Sequence, residues 1–162
     1  MVVSDSSPLI YLAALNDFPL LKEFFGSLVI PPAVYEEAVI QGSAYPVAQA
    51  VASAVWIRVE PLRRIGESVE FAPGIRLHAG ETQAILLAKQ LNADSLLMDD
   101  SDAVATARLL GLNVIRTPGI YRLAKEQGRI PSLRDKLDQL RAAGFRLKDT
   151  HYKKILGSAG EL

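Results

Sequence analysis

The sequence predicts an α/β fold in which helices cover a central, mainly parallel sheet. Short β-branched runs alternate with amphipathic segments, a pattern typical of parallel strands that are joined by helices. The second half shows this most clearly, because the helical pattern GETQAILLAKQLN precedes the strand pattern SLLM, a further helical pattern and the strand pattern NVI. No internal repeat or low-complexity tract interrupts the alternation.

Proline, serine and glycine set the bounds of the elements predicted in the first half. A strand covers about Val2 to Ser4, and the next helix starts at Pro8 with Ser6 or Ser7 as its N-cap. The elements that follow are a helix in DFPLLKEFFG, a strand, a Pro-Pro break and a helix in LVIPPAVYEEAVIQG, a helix from Tyr45 to Ala54, and a strand in VWIRV. Residues 60–80 are rich in proline, glycine and charge, which predicts a surface loop.

After the strand SLLM, the second half predicts three further helices, one strand and a tail. These are the helix SDAVATARLLG, the strand NVI, and the helices PGIYRLAKEQG and SLRDKLDQLRAAG. Ser132 opens the last of these helices, with Asp135 three residues later as in a capping box. The basic tail FRLKDTHYKKIL fits either a last strand or a short helix.

Length and composition predict one domain over residues 1–162, with 49% hydrophobic residues. The absence of cysteine excludes disulfides, thiolate nucleophiles and cysteine-ligated zinc, and it fits a reducing compartment. The N-terminus lacks the pattern of a signal peptide, and no apolar stretch approaches the ~18 residues of a membrane span. We therefore expect a soluble, cytoplasmic protein.

Charge is balanced in total but separated along the chain. Residues 1–115 contain 7 Lys and Arg against 13 Asp and Glu, whereas residues 116–162 contain 11 against 5. This pattern has two interpretations: a solvated charged face on the C-terminal helices, or a basic rim beside an acidic site that receives a polyanion.

Acidic residues follow two of the predicted strands. Asp5 comes directly after the first strand, and Asp99 and Asp100 follow SLLM. Ligand sites in open parallel sheets lie beyond the carboxyl ends of the strands, so these acids are expected at one edge. Glu81 opens its helix and shares the stripe of residues that faces the core.

A cluster of these acids predicts a cation, although each acid alone has an ordinary role as a helix cap. Two unit charges ~4 Å apart repel by about 1 kcal/mol in water and about 4 kcal/mol at an effective dielectric constant near 20. A hard divalent cation such as Mg²⁺ or Mn²⁺ removes that cost and prefers oxygen ligands. In the helix after the second β run, spacing favours Glu37 over Glu36 as the residue facing inward, without excluding Glu36.

The chain resembles the PIN-domain nucleases, and more narrowly the VapC-like toxin ribonucleases of bacterial toxin–antitoxin pairs. The resemblance is clearest over residues 1–130 and precedes a C-terminal helix and basic tail over 131–162. It is carried by the order and spacing of VVSDSSPLIYL, IPPAVYEEAV, GETQAILLAKQL and SLLMDDSDAVATARLLGLNVI. It implies a three-layer α/β/α fold, an Mg²⁺- or Mn²⁺-dependent endoribonuclease, an RNA substrate, a small protein antitoxin as partner, and a homodimer.

The resemblance also assigns roles to individual acids. The family's first three acids correspond to Asp5, Glu37 and Glu81, and its fourth corresponds to Asp99 or Asp100. Counting from Glu81 without gaps selects Asp99, whereas a shifted alignment of the strand end selects Asp100. Asp5, Glu81 and one of the aspartate pair would hold the metal, while Glu37 would orient a water or hold a second ion. The alternative function is a non-catalytic PIN-like module that binds RNA or protein.

Overall fold

The protein is described by a computed structural model that covers residues 1–63 and 76–162. The chain divides into two compact units, residues 1–115 and residues 116–162. The surface loop predicted for residues 60–80 lies largely outside the described residues, and the assignment of one domain to residues 1–162 stays a prediction. In the described parts of the chain, no helix combines the length and the apolar character needed to cross a membrane.

The first unit contains a five-stranded sheet in which every strand pairing among the described residues is parallel. The strands lie in the order β3-β2-β1-β4-β5, so β1 is central and its two neighbours come from opposite halves of the unit. Sheets wound in this way bind ligands where the strand order reverses, which here is the edge beyond β1 and β4. The predicted three-layer α/β/α fold with a parallel sheet is confirmed. The strands are β1 (Val2–Ser4), β2 (Leu28–Ile30), β3 (Ile57–Val59), β4 (Ser95–Leu97) and β5 (Val114–Ile115).

Buried apolar strands explain why β1, β2 and β4 form the middle of the sheet. Val3, Leu28, Ile30 and Leu96 are fully or almost fully buried, as expected for parallel strands that are covered on both faces. One helix, α5, packs against both β1 and β4. The helices of this unit are α1 (Ser6–Ala14), α2 (Pro19–Phe25), α3 (Pro32–Tyr35), α4 (Pro46–Ser53), α5 (Ala79–Gln90) and α6 (Ser101–Leu109).

The predicted start of α1 is wrong. The helix begins at Ser6 rather than Pro8, and its N-cap is Asp5 rather than Ser6 or Ser7. The backbone N–H of Asp5 donates to the carbonyl of Leu97 at 2.9 Å, so pairing with β4 continues to the residue at which the helix begins. Strand and helix therefore meet at one residue, without the short loop that the sequence analysis assumed.

The helix predicted after β2 changes type partway. It starts as α3 and continues as a π-helical segment, Glu36–Gln41, before Gly42. A Cβ at Gly42 would lie 2.4 Å from the carbonyl oxygen of Ala38, so the segment can end this tightly only at glycine. Such widened turns are rare and occur often at functional sites.

The second unit consists, in its described residues, of three helices. They are α7 (Thr117–Glu126), α8 (Leu133–Ala142) and α9 (Asp149–Ser158), and α8 contacts both of the others. Ser132 caps α8, because its Oγ accepts from the N–H of Asp135 at 3.1 Å. The basic tail, for which a strand and a helix were both open, forms α9.

Candidate functional site

Asp5 lies at the junction of β1 and α1, where its side chain is buried with 2% exposure. Its Oδ1 has no hydrogen-bond partner among the described residues. Burial raises the pKa of this carboxyl to about 7, against the lowering effect of the Ser6 N–H, and the charges of Glu81, Glu37 and Asp99 raise it further. A buried carboxylate oxygen without a donor is costly, which marks Asp5 as a group that is arranged for a ligand.

The side chain of Asp5 opens onto a cavity of about 560 Å³. Glu37 and Glu81 line the same cavity, so the structure brings these three predicted site residues together. The other lining residues are Ser6, Ser7, Ile10, Gln41, His78 and Ala79. The cavity therefore combines three carboxylates with hydroxyl, amide and imidazole groups and two apolar side chains.

Glu81 is held at the start of α5 by a reciprocal capping box. Its Oε2 accepts from the backbone N–H of His78 at 3.0 Å, while the His78 side chain accepts from the N–H of Glu81. Burial raises the pKa of Glu81, and the charges of Asp100 and Glu37 add to the effect, against the lowering influence of His78. His78 therefore lines the cavity and is hydrogen-bonded to Glu81.

Glu37 projects from the π-helical segment and ties two other parts of the chain together. Its Oε2 accepts from the hydroxyl of Ser6 at 2.8 Å, and its Oε1 accepts from the backbone N–H of Gly80 at 3.1 Å. Glu36, the alternative left open by the sequence, is exposed and does not line the cavity. The geometry therefore favours Glu37 as the acid of this pair that belongs to the site.

The two aspartates after β4 have different surroundings. Asp99 is buried, with 7% exposure, and its charge raises the pKa of Asp5 and of Tyr11. Asp100 is exposed and caps α6, because its Oδ1 accepts from the N–H groups of Asp102 and Ala103, each at 3.0 Å. Neither aspartate lines the cavity itself; the charge of Asp99 acts on Asp5, whereas the charge of Asp100 acts on Glu81.

A family model described as a PIN domain matches residues 1–161. The chain belongs to the PIN-domain family. Among solved structures, it is similar to a PilT N-terminus domain protein from the hyperthermophilic archaeon Sulfolobus solfataricus, at 20% sequence identity and a TM-score of 0.46. That similarity covers 74% of this chain and 90% of the archaeal chain. A search of curated proteins finds no significant match.

PIN domains are typically metal-dependent nucleases. The acidic side chains of this site can therefore be compared with the ligands that a divalent cation requires. All of its acidic groups offer the hard oxygen ligands that Mg²⁺ and Mn²⁺ prefer. Within residues 1–63 and 76–162, no three Asp, Glu, His or Cys side chains are already arranged as a metal site. Mg²⁺ commonly takes only one or two carboxylates and completes its shell with water and substrate phosphate. The unpartnered Oδ1 of Asp5 fits such an ion.

The sequence analysis missed several residues of the cavity in this PIN domain. Ile10 follows Ser6 by four residues and Gln41 follows Glu37 by four, and both line the cavity. Helical spacing places residues four apart on one face, so this signal was present in the sequence. Gly80 directly precedes Glu81 in the segment GETQAILLAKQL, and its contact with Glu37 had no sequence signal.

Proposed function

We propose that this PIN domain is a divalent-metal-dependent endoribonuclease that hydrolyses RNA phosphodiester bonds. The observation that carries the proposal is the buried, unpartnered Oδ1 of Asp5 in a cavity shared with Glu37 and Glu81. Membership of a family of typical metal-dependent nucleases supports the same reaction class.

Asp5 is the central ligand of the proposed site. It follows an inner strand, its own N–H is paired with Leu97, and its side chain is buried, so the backbone that carries the carboxylate is fixed and the side chain has little room to rotate. Glu81, oriented by its capping box, and Asp99, at the end of the adjacent strand, complete the proposed set with Asp5. A bound Mg²⁺ or Mn²⁺ supplies a water of lowered pKa and stabilises charge on the phosphate in the transition state.

RNA is the proposed substrate because the charges of the chain suit a polyanion in two ways. The acidic site needs a cation that also attracts phosphate, and residues 116–162 contain 11 basic residues against 5 acidic ones. Lys and Arg supply affinity through phosphate contacts without choosing a sequence. Neither histidine is assigned a step in this reaction.

The finer proposal is that the protein is the toxin of a toxin–antitoxin pair, similar to the VapC-like ribonucleases. Its support is the sequence resemblance over residues 1–130 together with the family membership. On this proposal, a small protein antitoxin inhibits the enzyme and the active form is a homodimer. Expression of the chain with and without a small neighbouring reading frame tests it, because growth arrest relieved by that frame is expected.

The nuclease proposal is tested by RNA cleavage with Asp5→Asn as the decisive variant. Wild-type protein is expected to cleave RNA with Mg²⁺ or Mn²⁺ and to stop when the metal is chelated. Asp5→Asn keeps the shape of the side chain but removes the ligand charge, so cleavage is expected to fall by about 10³-fold while circular dichroism stays unchanged.

The matched control is Asp135→Asn, which removes an exposed acid in the first turn of α8. Its cleavage rate is expected to equal that of the wild type. Wild-type protein that binds RNA but shows no metal-dependent cleavage would instead support a non-catalytic RNA-binding module.

A further inference from the structure

Glu37 accepts two hydrogen bonds, one from the residue next to Asp5 and one from the residue next to Glu81. Ser6, which donates its hydroxyl to Oε2, directly follows Asp5, and Gly80, which donates its N–H to Oε1, directly precedes Glu81. One carboxylate therefore joins the start of α1 to the start of α5. These are the two points of the backbone from which the acids Asp5 and Glu81 enter the cavity.

We propose that Glu37 is a positioning residue that sets the spacing between Asp5 and Glu81, and that it is neither a metal ligand nor a base. This inference deepens the proposed function and rests on it for the identity of the cation. Both oxygens of Glu37 already accept from protein donors, whereas Oδ1 of Asp5 has no donor among the described residues. Each oxygen of Glu37 therefore has one acceptor position taken by a protein donor, whereas Oδ1 of Asp5 has none taken.

The contact between Gly80 and the Glu37 carboxylate provides a second argument, because a residue with a side chain could not make it in the same geometry. A Cβ built at this position would lie 2.5 Å and 2.6 Å from the two carboxylate oxygens of Glu37. An alanine there must displace either the carboxylate or the first turn of α5. The backbone of α5 thus approaches Glu37 as closely as a glycine permits, which is expected of a fixed brace between segments.

The π-helical segment supplies the third anchor of this brace. It contacts both α1 and α4, so Glu37 leaves from a part of the chain that is itself held by packing. Its carboxylate consequently links three segments: the widened turn that carries it, the start of α1 and the start of α5. Outer groups that orient ligands in this way commonly change metal affinity by about 10- to 100-fold when they are removed.

A pair of substitutions separates positioning from ligation. Glu37→Gln and Glu37→Ala remove the same charge, but only glutamine can keep both hydrogen bonds. Its Oε1 can accept from Gly80, and its Nε2 can donate to the Ser6 hydroxyl, which acts as donor or acceptor. Any difference between the two variants therefore reflects the hydrogen bonds and the packing of the longer side chain, and not the charge; Ser6→Ala removes one hydrogen bond while leaving the Glu37 side chain intact.

The experiment measures the Mn²⁺ dissociation constant by calorimetry, the melting temperature without metal, and RNA cleavage. The variants are Glu37→Gln, Glu37→Ala, Ser6→Ala and Gly80→Ala, with Asp5→Asn as the reference for loss of a ligand. Glu36→Gln is the matched control, because Glu36 is the exposed neighbour of Glu37. Ser6→Ala is included because it removes one of the two hydrogen bonds without placing a new atom against the Glu37 carboxylate, as Gly80→Ala does.

Positioning predicts that Glu37→Gln stays within about tenfold of the wild type in Mn²⁺ affinity, whereas Glu37→Ala and Ser6→Ala bind more weakly by about 10- to 100-fold. Without metal, Glu37→Gln is expected to melt above Glu37→Ala. The proposal is overturned if Glu37→Gln loses as much affinity as Glu37→Ala, or if Ser6→Ala leaves Mn²⁺ binding unchanged.

Failure of the proposed function looks different. A wild-type protein without Mn²⁺ affinity would refute the metal site. The difference in melting temperature between Glu37→Gln and Glu37→Ala would still decide whether Glu37 braces the two segments, and equal values would refute the brace.

Discussion

The two units of the chain differ in both architecture and charge, and the boundary is the same for both. Residues 1–115 form the parallel sheet and carry the acidic cavity, with 13 Asp and Glu against 7 Lys and Arg. Residues 116–162 form α7, α8 and α9, with 11 basic residues against 5 acidic ones. The separation of charge in the sequence is therefore a separation between structural units. Under the proposed function, the first unit carries the proposed metal site and the second carries most of the basic residues that would contact RNA.

The largest expected effect tests whether catalysis belongs to the first unit alone. Asp5→Asn is expected to lower kcat by about 10³-fold, because the proposed cation loses its central ligand. The salt dependence of RNA binding, measured in the same buffer without metal, is expected to stay unchanged. If Asp5→Asn instead kept the wild-type kcat and bound RNA more weakly, the assignment of catalysis to the first unit would be wrong.

The next effect is on stability and depends on pH. The pKa of Asp5 is raised to about 7 in the folded protein from an ordinary value of 3.8, so the folded state binds the proton more tightly than the unfolded state. The stability that protonation provides is complete below pH 3.8 and is lost as the pH rises to about 7. Metal-free Asp5→Asn is therefore expected to exceed the wild type in free energy of unfolding by about 2–4 kcal/mol at pH 8.

Urea unfolding at several pH values checks this prediction. The advantage of Asp5→Asn is expected to shrink steadily between pH 7 and pH 4, because the wild-type carboxyl becomes neutral in the folded state. An advantage that is independent of pH would show that burial of Asp5 does not perturb its ionisation.

A smaller effect tests the second unit as the source of RNA affinity. Lys153 and Lys154 are exposed on α9, and replacing both with glutamine removes two charges. RNA binding is expected to weaken about tenfold, and the slope of log K against log salt to fall by about 1–2, with kcat unchanged. The control replaces Lys22 and Arg108, two exposed basic residues of the first unit, with glutamine. Equal losses in the two double variants would remove the distinction between the units.

The smallest effect concerns the way the second unit is held together. Glu161 caps α8, because its Oε2 accepts from the N–H of Leu133 at 2.8 Å and its Oε1 accepts from the N–H of Arg134 at 3.2 Å. Glu161→Ala is expected to lower the free energy of unfolding by about 1 kcal/mol. Hydrogen exchange should accelerate at the start of α8 and stay the same in β1 and β4. Acceleration in the strands as well would show that the two units open together.

Most of the fold could be predicted because its signals are local. The alternation of apolar runs with helical patterns identified all five described strands, and β1 (Val2–Ser4) matches the sequence prediction. The start of α1 could not be found this way, because the pairing of Asp5 with Leu97 depends on a strand more than ninety residues away. The π-helical segment was also missed, since nothing in EEAVIQ distinguishes a widened turn from an α-helical one.

The sequence predicted which acidic residues belong to the candidate site, but it did not predict the hydrogen bonds that join them to other parts of the chain. The order of strands places Asp5 and Asp99 after adjacent strands, which the sequence anticipated from their positions. The choice between Asp99 and Asp100 stayed open because it depends on which of the two residues becomes the N-cap of α6, and either aspartate is a suitable N-cap by residue type. Similarly, the hydrogen bonds of Glu37 to Ser6 and Gly80 join residues 31 and 43 positions apart, beyond any helical periodicity.

The π-helical segment has a consequence for how this chain can vary in length. A helix of this type is wider than an α-helix and contains more residues in each turn. Loss of one residue between Glu37 and Gly42 would convert the widened turn to an ordinary α-helical turn, because the extra residue of a π turn adds to the number of residues per turn and hardly changes the total angle that the chain turns. The buried face of α4, which includes Val47 and Val51, would then keep its present orientation. A chain of the same fold that is one residue shorter in this segment is therefore expected to keep the packing of α4 and to lose the widened turn that carries Glu37.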